Sequence, residues 1–290
     1  MVNVILTSTA EHLKEGLQKA GINPTIPEKN RDGKRTFPDG EVYVRIPGAQ
    51  GMRGRTVVVH SGMPDPNGGL MELEMILELL SRNRETGPIE VFFTYFPYGM
   101  QDSVFEHGEL NTAESLVKKL TGYYGVKRIY VIDAHFLGRD WVKNYPVRNI
   151  SALDMLTQAA ERDFPGIVNM APDIGCQRRT GLSGTEKLRT NSFTAEIRSG
   201  AEFRAAVEGG VVGAVDDLLE TGGTMDRFRE ECIRCGARDV VAMVTHGVLP
   251  EGIERVMNRY TRLYLTNSIN RPEANVDITG LVLDAVLNGE

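Results

Sequence analysis

The stretch Val211-Val-Gly-Ala-Val-Asp-Asp-Leu-Leu-Glu-Thr-Gly-Gly-Thr-Met225 decides how the chain is read. Val211 to Val215 is the unbroken apolar run of a buried parallel strand. Asp216 and Asp217 stand at its end, and the tight turn Glu220-Thr221-Gly222-Gly223-Thr224 feeds a helix over Met225 to Cys235. Open α/β sheets gather their ligands at the carboxyl ends of strands. A Gly-rich turn at a helix N-terminus presents N–H groups and a positive dipole end, which suits a phosphate. Thr221 and Thr224 can add hydroxyl donors. Carboxylates repel phosphate, so Asp216 and Asp217 suit sugar hydroxyls or a metal. Either half alone reads as a plain loop or a plain helix start. Together, in this order, they point to a sugar phosphate.

The same rhythm of strand and helix extends outward in both directions. Val2 to Leu6 predicts a buried strand, and Glu11 to Ala20 a helix with Leu13, Leu17 and Ala20 on one face. Phe37-Pro-Asp-Gly-Glu41 is a turn carrying two acids beside an aromatic, and the alternating residues to Ile46 predict a strand. Its residues alone assign this turn no function. Val57-Val-Val59 predicts a central strand, Leu70 to Leu80 a helix, and Ile89 to Tyr95 a strand running into Phe96-Pro-Tyr-Gly-Met-Gln-Asp102. Asn111 caps a helix reaching Tyr123, and Lys127 to Ile132 predicts a strand ending in Asp133-Ala-His135. In the second half, Ala152 to Ala160 predicts a helix, and Ile167 to Ala171 a strand before Pro172-Asp-Ile-Gly175. Gly181 to Gly200 reads as polar and irregular. Strands are expected at Val240 to Val244 and Arg262 to Leu265, and a helix at Leu281 to Leu287. Such alternation predicts parallel sheets covered on both faces.

A length of 290 residues predicts about two domains. We place them at 1–146 and 147–290, the second carrying the opening stretch. Hydrophobic content of 41% and charged content of 25% fit a globular protein. A net charge of −6 carries no nucleic-acid footprint. No apolar run reaches the roughly 20 residues of a membrane span, and the N-terminus has no signal pattern. A cytoplasmic location is expected. Cys232 and Cys235 form a C-x-x-C with neither a second pair nor a nearby histidine, so with Cys176 they read as buried thiols.

Several expected strands end in polar groups, which such a sheet sets along one rim: Asp133 and His135, Asp173, Asp216 and Asp217, Thr245 and His246. Mg²⁺ takes few protein ligands beside phosphate oxygens and water. Asp173, an acid at a strand-to-helix turn, fits that role. His135 by itself reads as a half-buried polar residue. Lys187 and Arg189, one residue apart, read either as a mobile clamp over phosphates or as a solvated surface pair.

The chain resembles the ribose-phosphate pyrophosphokinases along nearly its whole length. Glu220 to Thr224 resembles their phosphoribosyl pyrophosphate loop, shared with the type I phosphoribosyltransferases. Phe37 to Glu41 resembles an adenine-contacting turn that in the family reaches a neighbouring subunit's site. Tyr95 to Asp102 resembles a tyrosine-rich segment ending in Arg-Gln-Asp. Asp133-Ala-His135 and Pro172-Asp173 match the Asp-x-His and Pro-Asp motifs. Glu186-Lys-Leu-Arg189 resembles the catalytic loop, and Thr245-His-Gly247 and Thr266-Asn-Ser268 also match. The resemblance implies two similar Rossmann-like domains of the type I phosphoribosyltransferase kind, each a mostly parallel sheet flanked by helices. It implies transfer of diphosphate from ATP to the anomeric hydroxyl of ribose 5-phosphate.

By that resemblance Phe37, Asp39, Glu41, Gln101 and Asp102 take ATP. Asp216, Asp217, Thr221, Gly222, Gly223 and Thr224 take ribose 5-phosphate. His135 and Asp173 take Mg²⁺, and Lys187 and Arg189 are catalytic. A homodimer or homohexamer is implied. There are three departures. Met100 stands where the family has an Arg aimed at the ATP phosphates, with Arg178 and Arg179 as candidate substitutes. Cys176 stands where the family has Gly, and Glu220 where it has Asp. Rival readings are a non-catalytic regulatory homologue, a diphosphokinase for another sugar phosphate, and a phosphoribosyltransferase, which would leave the N-terminal half unexplained.

Overall fold

The computed structural model describes residues 2–82, 86–184, 186–189, 195–198 and 200–289, except the side chains of 86, 186–189 and 195–198. Two compact units divide the chain. The first holds Met1–Ile150, Ser268–Asn270 and Ile278–Glu290, and the second holds Ser151–Asn267 and Arg271–Asp277.

The first unit is built on five parallel strands in chain order: β1 (Val2–Leu6), β2 (Gly54–Ser61), β3 (Thr86–Tyr95), β4 (Arg128–Ile132) and β5 (Val147–Ile150). Its helices are α1 (Lys14–Lys19), α2 (Pro66–Ser81) and α3 (Thr112–Gly122). Alternate strand residues face opposite sides of a sheet. Accordingly Val58, Val91, Phe93, Ile129 and Val131 pack with Leu73, Ile76 and Leu77 of α2 and Leu116, Val117 and Leu120 of α3. Asp65 and Asn111 cap these two helices through the N–H groups of Gly68 and Glu114.

The second unit has four parallel strands, again in chain order: β6 (Val168–Met170), β9 (Val211–Leu219), β10 (Asp239–Gly247) and β11 (Leu263–Leu265). An antiparallel hairpin of β7 (Glu186–Arg189) and β8 (Ala195–Arg198) intervenes. The helices are α4 (Leu153–Asp163), α5 (Ile174–Thr180), α6 (Ala201–Val207), α7 (Gly223–Arg234) and α8 (Pro250–Arg259). Val212, Ala214, Val240 and Ala242 pack with Phe228 of α7 and Val256 of α8. Val211, Val215, Val241 and Met243 face Leu156 and Ala160 of α4. The expected α/β class with parallel sheets flanked by helices is therefore the observed one.

The expected boundaries at 146 and 147 need correction. β5 pairs with β4, which carries the first unit to Ile150. The last helix, α9 (Thr279–Asn288), also returns to that unit. There Arg55 donates to the Val286 and Ala285 carbonyls at 2.6 and 2.8 Å, satisfying acceptors that a helix end leaves open. The Ser268 carbonyl likewise accepts from Ser61 Oγ and Thr94 Oγ1.

Local differences are informative. The strand expected before Ile46 is only an isolated bridge between Thr36 and Val42. The helix expected at Glu11 begins as a 3-10 turn, Ser8–Leu13. The segment expected to be irregular contains the β7–β8 hairpin. α6 and β5 are too short to stand out in sequence, whereas α8, with Pro250 at its start and Ile253, Val256 and Met257 at helical spacing, was readable and missed.

Candidate active site

In the first unit the Phe37–Glu41 turn closes on itself. Phe37 N–H donates to the Glu41 carbonyl at 2.7 Å, Gly40 N–H to the Phe37 carbonyl at 3.0 Å, and Glu41 N–H to Asp39 Oδ1 at 3.1 Å. Gly40 has φ +93°, which glycine adopts at no steric cost. Phe37 is 44% exposed and its ring meets Tyr43 edge-on, which leaves surface open to a planar partner.

After β3 the chain passes Phe96, buried edge-to-face on Phe136 at 4.9 Å. Tyr98 and Asp133, which follow β3 and β4, have φ of +57° and +36°. Non-glycine residues rarely occupy this region, and such strain collects at functional sites. The Gln101 side chain accepts from Thr112 Oγ1 at 2.5 Å. Asp102 is only 3% exposed. Its two oxygens accept from Arg139 Nε at 2.8 Å and Nη2 at 2.9 Å, a bidentate fork. Trp141 Nε1 donates to its carbonyl at 3.0 Å. The Asp102 carboxylate, expected to meet ATP, is thus taken up inside the protein. What it presents outward is the guanidinium it holds. His135 is half-buried and opens the 3-10 turn His135–Gly138 that precedes Arg139.

In the second unit β9 runs on through Asp216 and Asp217 to Leu219, paired with β10 as far as Leu219 beside Gly247. The two acids lie inside the strand rather than at its end, and Asp216 Oδ1 accepts from Asp217 N–H at 3.0 Å, so the two acids interact. Asp217 is buried and bonded to Arg179 of α5, Nη2 to Oδ1, at 2.5 Å. Arg179 Nε is buried without a hydrogen-bond partner among the described residues. Asp216 is half-buried, and its carboxyl is held well above the usual carboxylate range. Burial is the main cause, followed by the charge of Asp217 and then that of Asp173. Asp173 caps α5, its Oδ1 accepting from Cys176 N–H at 2.9 Å, which leaves one oxygen for another partner. Cys176 is buried, with Sγ donating to the Val215 carbonyl at 3.0 Å, and burial pushes its thiol up. It packs α5 onto β9 and has no reactive thiolate.

The turn after β9 enters α7 as expected. Gly222, at φ +77°, is the N-cap and brings no capping side chain, so the first N–H groups of α7 have no side-chain acceptor at the cap. Gly252 of α8 lies against the turn so closely that a Cβ there would stand 1.8 Å from the Glu220 carbonyl oxygen. Arg227 Nη2 lies 3.5 Å from Thr224 Oγ1.

The structure therefore brings Gln101 and Asp102 together in the first unit, and Asp216, Asp217 and the Thr221–Thr224 turn in the second. The side chains of Lys187 and Arg189 lie outside the described residues. Sequence reasoning missed Arg139 as a partner of Asp102 and Gly252 as a support of the turn. It named Arg179 only as a substitute for the absent arginine at position 100, yet Arg179 is engaged by Asp217. Pairings across 37 or 38 residues leave no periodic signal. Among the described residues no group of three or more His, Cys, Asp or Glu side chains is placed to hold a metal ion.

No protein-family model matches the chain. Individual proteins do. The ribose-phosphate pyrophosphokinase of Thermococcus kodakarensis is 29% identical over 286 residues, covering 94% of this chain and 96% of that protein. The enzyme of the same name from Pyrococcus abyssi is 29% identical over 96% of each chain. The chain is a relative of the ribose-phosphate pyrophosphokinases. The crystal structure of phosphoribosylpyrophosphate synthetase from Mycobacterium smegmatis shares the fold, with a TM-score of 0.80 at 22% identity, covering 100% of this chain and 99% of that one. Relatedness to ribose-phosphate pyrophosphokinases thus spans both units, and the N-terminal half needs no separate account.

Proposed function

We propose that the chain transfers the β,γ-diphosphoryl group of ATP to the anomeric hydroxyl of ribose 5-phosphate, yielding phosphoribosyl pyrophosphate and AMP. The observation that carries this reading is the second unit's pairing of two strand-borne acids with an uncapped, glycine-lined helix start. The N–H groups of Gly223 and Thr224, with the hydroxyls of Thr221 and Thr224, suit the 5-phosphate. Asp216 and Asp217 suit the ribose hydroxyls. End-to-end similarity to ribose-phosphate pyrophosphokinases supports the same reaction.

In-line phosphoryl transfer asks a protein for positioning and for charge neutralisation. Phe37 offers an open ring for adenine, and Asp39 and Glu41 offer acceptors beside it. Gln101 and the Asp102–Arg139 pair lie on the segment assigned to the nucleotide. Lys187 and Arg189 are assigned to the charge that builds on the transferring phosphorus and on departing AMP. Mg²⁺ is the proposed cation, with His135 in the first unit and the second carboxylate oxygen of Asp173 in the second unit each a candidate ligand. Either donor by itself leaves room for phosphate oxygens and water, as Mg²⁺ prefers. The ion would neutralise phosphate charge. Assembly as a homodimer or homohexamer and a cytoplasmic location belong to the same reading. Among the described residues no helix is long and apolar enough to cross a membrane.

The test is AMP formation from ATP and Mg²⁺, with and without ribose 5-phosphate, followed by phosphorus NMR. The expected result is ribose 5-phosphate-dependent AMP with a new diphosphate on the anomeric carbon. No AMP from folded protein would reject the reading.

A further inference from the structure

Resting on the ATP reading above, we propose that Arg139 is the cation that binds the ATP polyphosphate in this chain, in place of an arginine at position 100. From Phe96 to Thr112 the sequence has no Lys or Arg and carries Asp102, Glu106 and Glu109. A polyphosphate approaching this stretch meets net negative charge unless a cation comes from elsewhere. Met100 is 45% exposed and its thioether supplies no charge. Of the two arginines considered for the task, Arg178 and Arg179, the second is held by Asp217 and only 16% exposed.

Arg139 enters from the 3-10 turn that begins at His135, and it is fixed by its bidentate bond to Asp102. That bond uses Nε and Nη2. Nη1 has no protein partner among the described residues, and the side chain is 42% exposed. A guanidinium held on one edge and open on the other is oriented before ligand arrives, so it loses little rotamer entropy on binding. Asp102 is then a positioning residue. It is buried not to touch nucleotide but to hold Arg139 in place, offsetting one acid of the segment and leaving Nη1 for a phosphate oxygen.

The molecule carries its own reporter. Trp141, the only tryptophan in the chain, donates to the Asp102 carbonyl and lies two residues from Arg139. Titrating its fluorescence with ATP and with adenosine separates phosphate recognition from adenine recognition. For R139Q the expected result is ATP affinity about ten- to a hundredfold weaker, the range of a charge-assisted hydrogen bond. Adenosine affinity should stay within twofold of the parent, and M100R in the R139Q background should recover most of the loss. Equal weakening of ATP and adenosine, or unchanged ATP affinity, would overturn the proposal.

A second measurement needs no substitution and so does not depend on the variant folding. Phenylglyoxal labelling of the unaltered protein, mapped by mass spectrometry, should modify Arg139. ATP should protect it and adenosine should not. Labelling unaffected by saturating ATP would also overturn the proposal. Ribose 5-phosphate-dependent AMP formation with an unaltered R139Q titration rejects this inference alone, whereas absence of ATP binding by the parent rejects the functional reading and this inference with it.

Discussion

Arg179 and Asp217 lie 2.5 Å apart, one on α5 and the other inside β9, and the pair ties the candidate metal segment to the candidate sugar segment within one unit. Asp217 is 7% exposed and Arg179 16%. Removing one partner of a buried pair leaves the other charge desolvated, at a cost of about 3–5 kcal/mol. R179Q is therefore expected to lower thermal stability strongly and to raise KM for ribose 5-phosphate. D217N in the same background should return most of the lost stability but not the KM. Calorimetry and steady-state kinetics of the two variants and the double variant check this. Additive losses would show that the pair is not coupled.

Asp216 gives the site a pH dependence. An acid that accepts a hydrogen bond from a sugar hydroxyl works best ionised. Burial, then Asp217, then Asp173 hold its proton more tightly than usual. KM for ribose 5-phosphate should therefore fall as pH rises through the elevated value, while ATP affinity changes less. D216N should raise KM at every pH and flatten the profile. A D216N profile parallel to the parent's would assign the titration to another group.

Gly252 supports the phosphate turn from behind. Alanine there would set its Cβ 1.8 Å from the Glu220 oxygen and 2.8 Å from the Glu220 carbonyl carbon. Backbone on one side and a helix on the other leave little room to yield. G252A is expected to cost about 1–3 kcal/mol of stability, as overpacking does, and to raise KM for ribose 5-phosphate about tenfold or more by moving the N–H groups of Gly223 and Thr224. Unchanged KM would separate the turn's position from sugar-phosphate binding.

Much of this architecture was legible because local physics and global fold agree. Val57-Val-Val59 and Val240 to Val244 carry the apolar runs of central strands, and Leu73, Ile76, Leu77 and Leu80 the spacing of one helix face. All are buried where those patterns put them. Asp65 and Asn111 cap helices as their residue types favour. The misreadings share a cause. Val42 to Ile46 alternates like a strand but finds only a single bridge, because a strand exists only through its neighbour. The strand was legible only to Val215, because acids are rare in strands, yet pairing with β10 carries β9 through Asp216 and Asp217 to Leu219. The domain boundary moved because β5 pairs with β4, and α9 returns to the first unit because its last carbonyls meet Arg55 far earlier in the chain. At the site, the turn and the acids were readable from order alone. The roles of Asp102 and Arg139 were not, since an acid and the cation that buries it carry no shared pattern.

His60 sits at the end of β2, fully buried. Its Nδ1 lies 3.0 Å from Thr7 Oγ1 and 3.3 Å from Thr9 Oγ1, while Nε2 has no hydrogen-bond partner among the described residues. Burial alone lowers its pKa from the ordinary 6.5 to about 3. The folded protein therefore takes up this proton less readily than the unfolded chain. The stability it contributes is complete above about pH 6.5 and is lost as pH falls toward 3. The loss from this group reaches roughly 3 kcal/mol by pH 4. Glu72, whose proton affinity is raised mainly by burial, opposes this trend, so the difference between variant and parent isolates His60. H60Q keeps a polar group for Thr7 and cannot charge. Its unfolding midpoint in urea should therefore fall less than the parent's between pH 6.5 and pH 4. Parallel curves would show that His60 charges without penalty, and that its site admits water or a counter-charge at low pH.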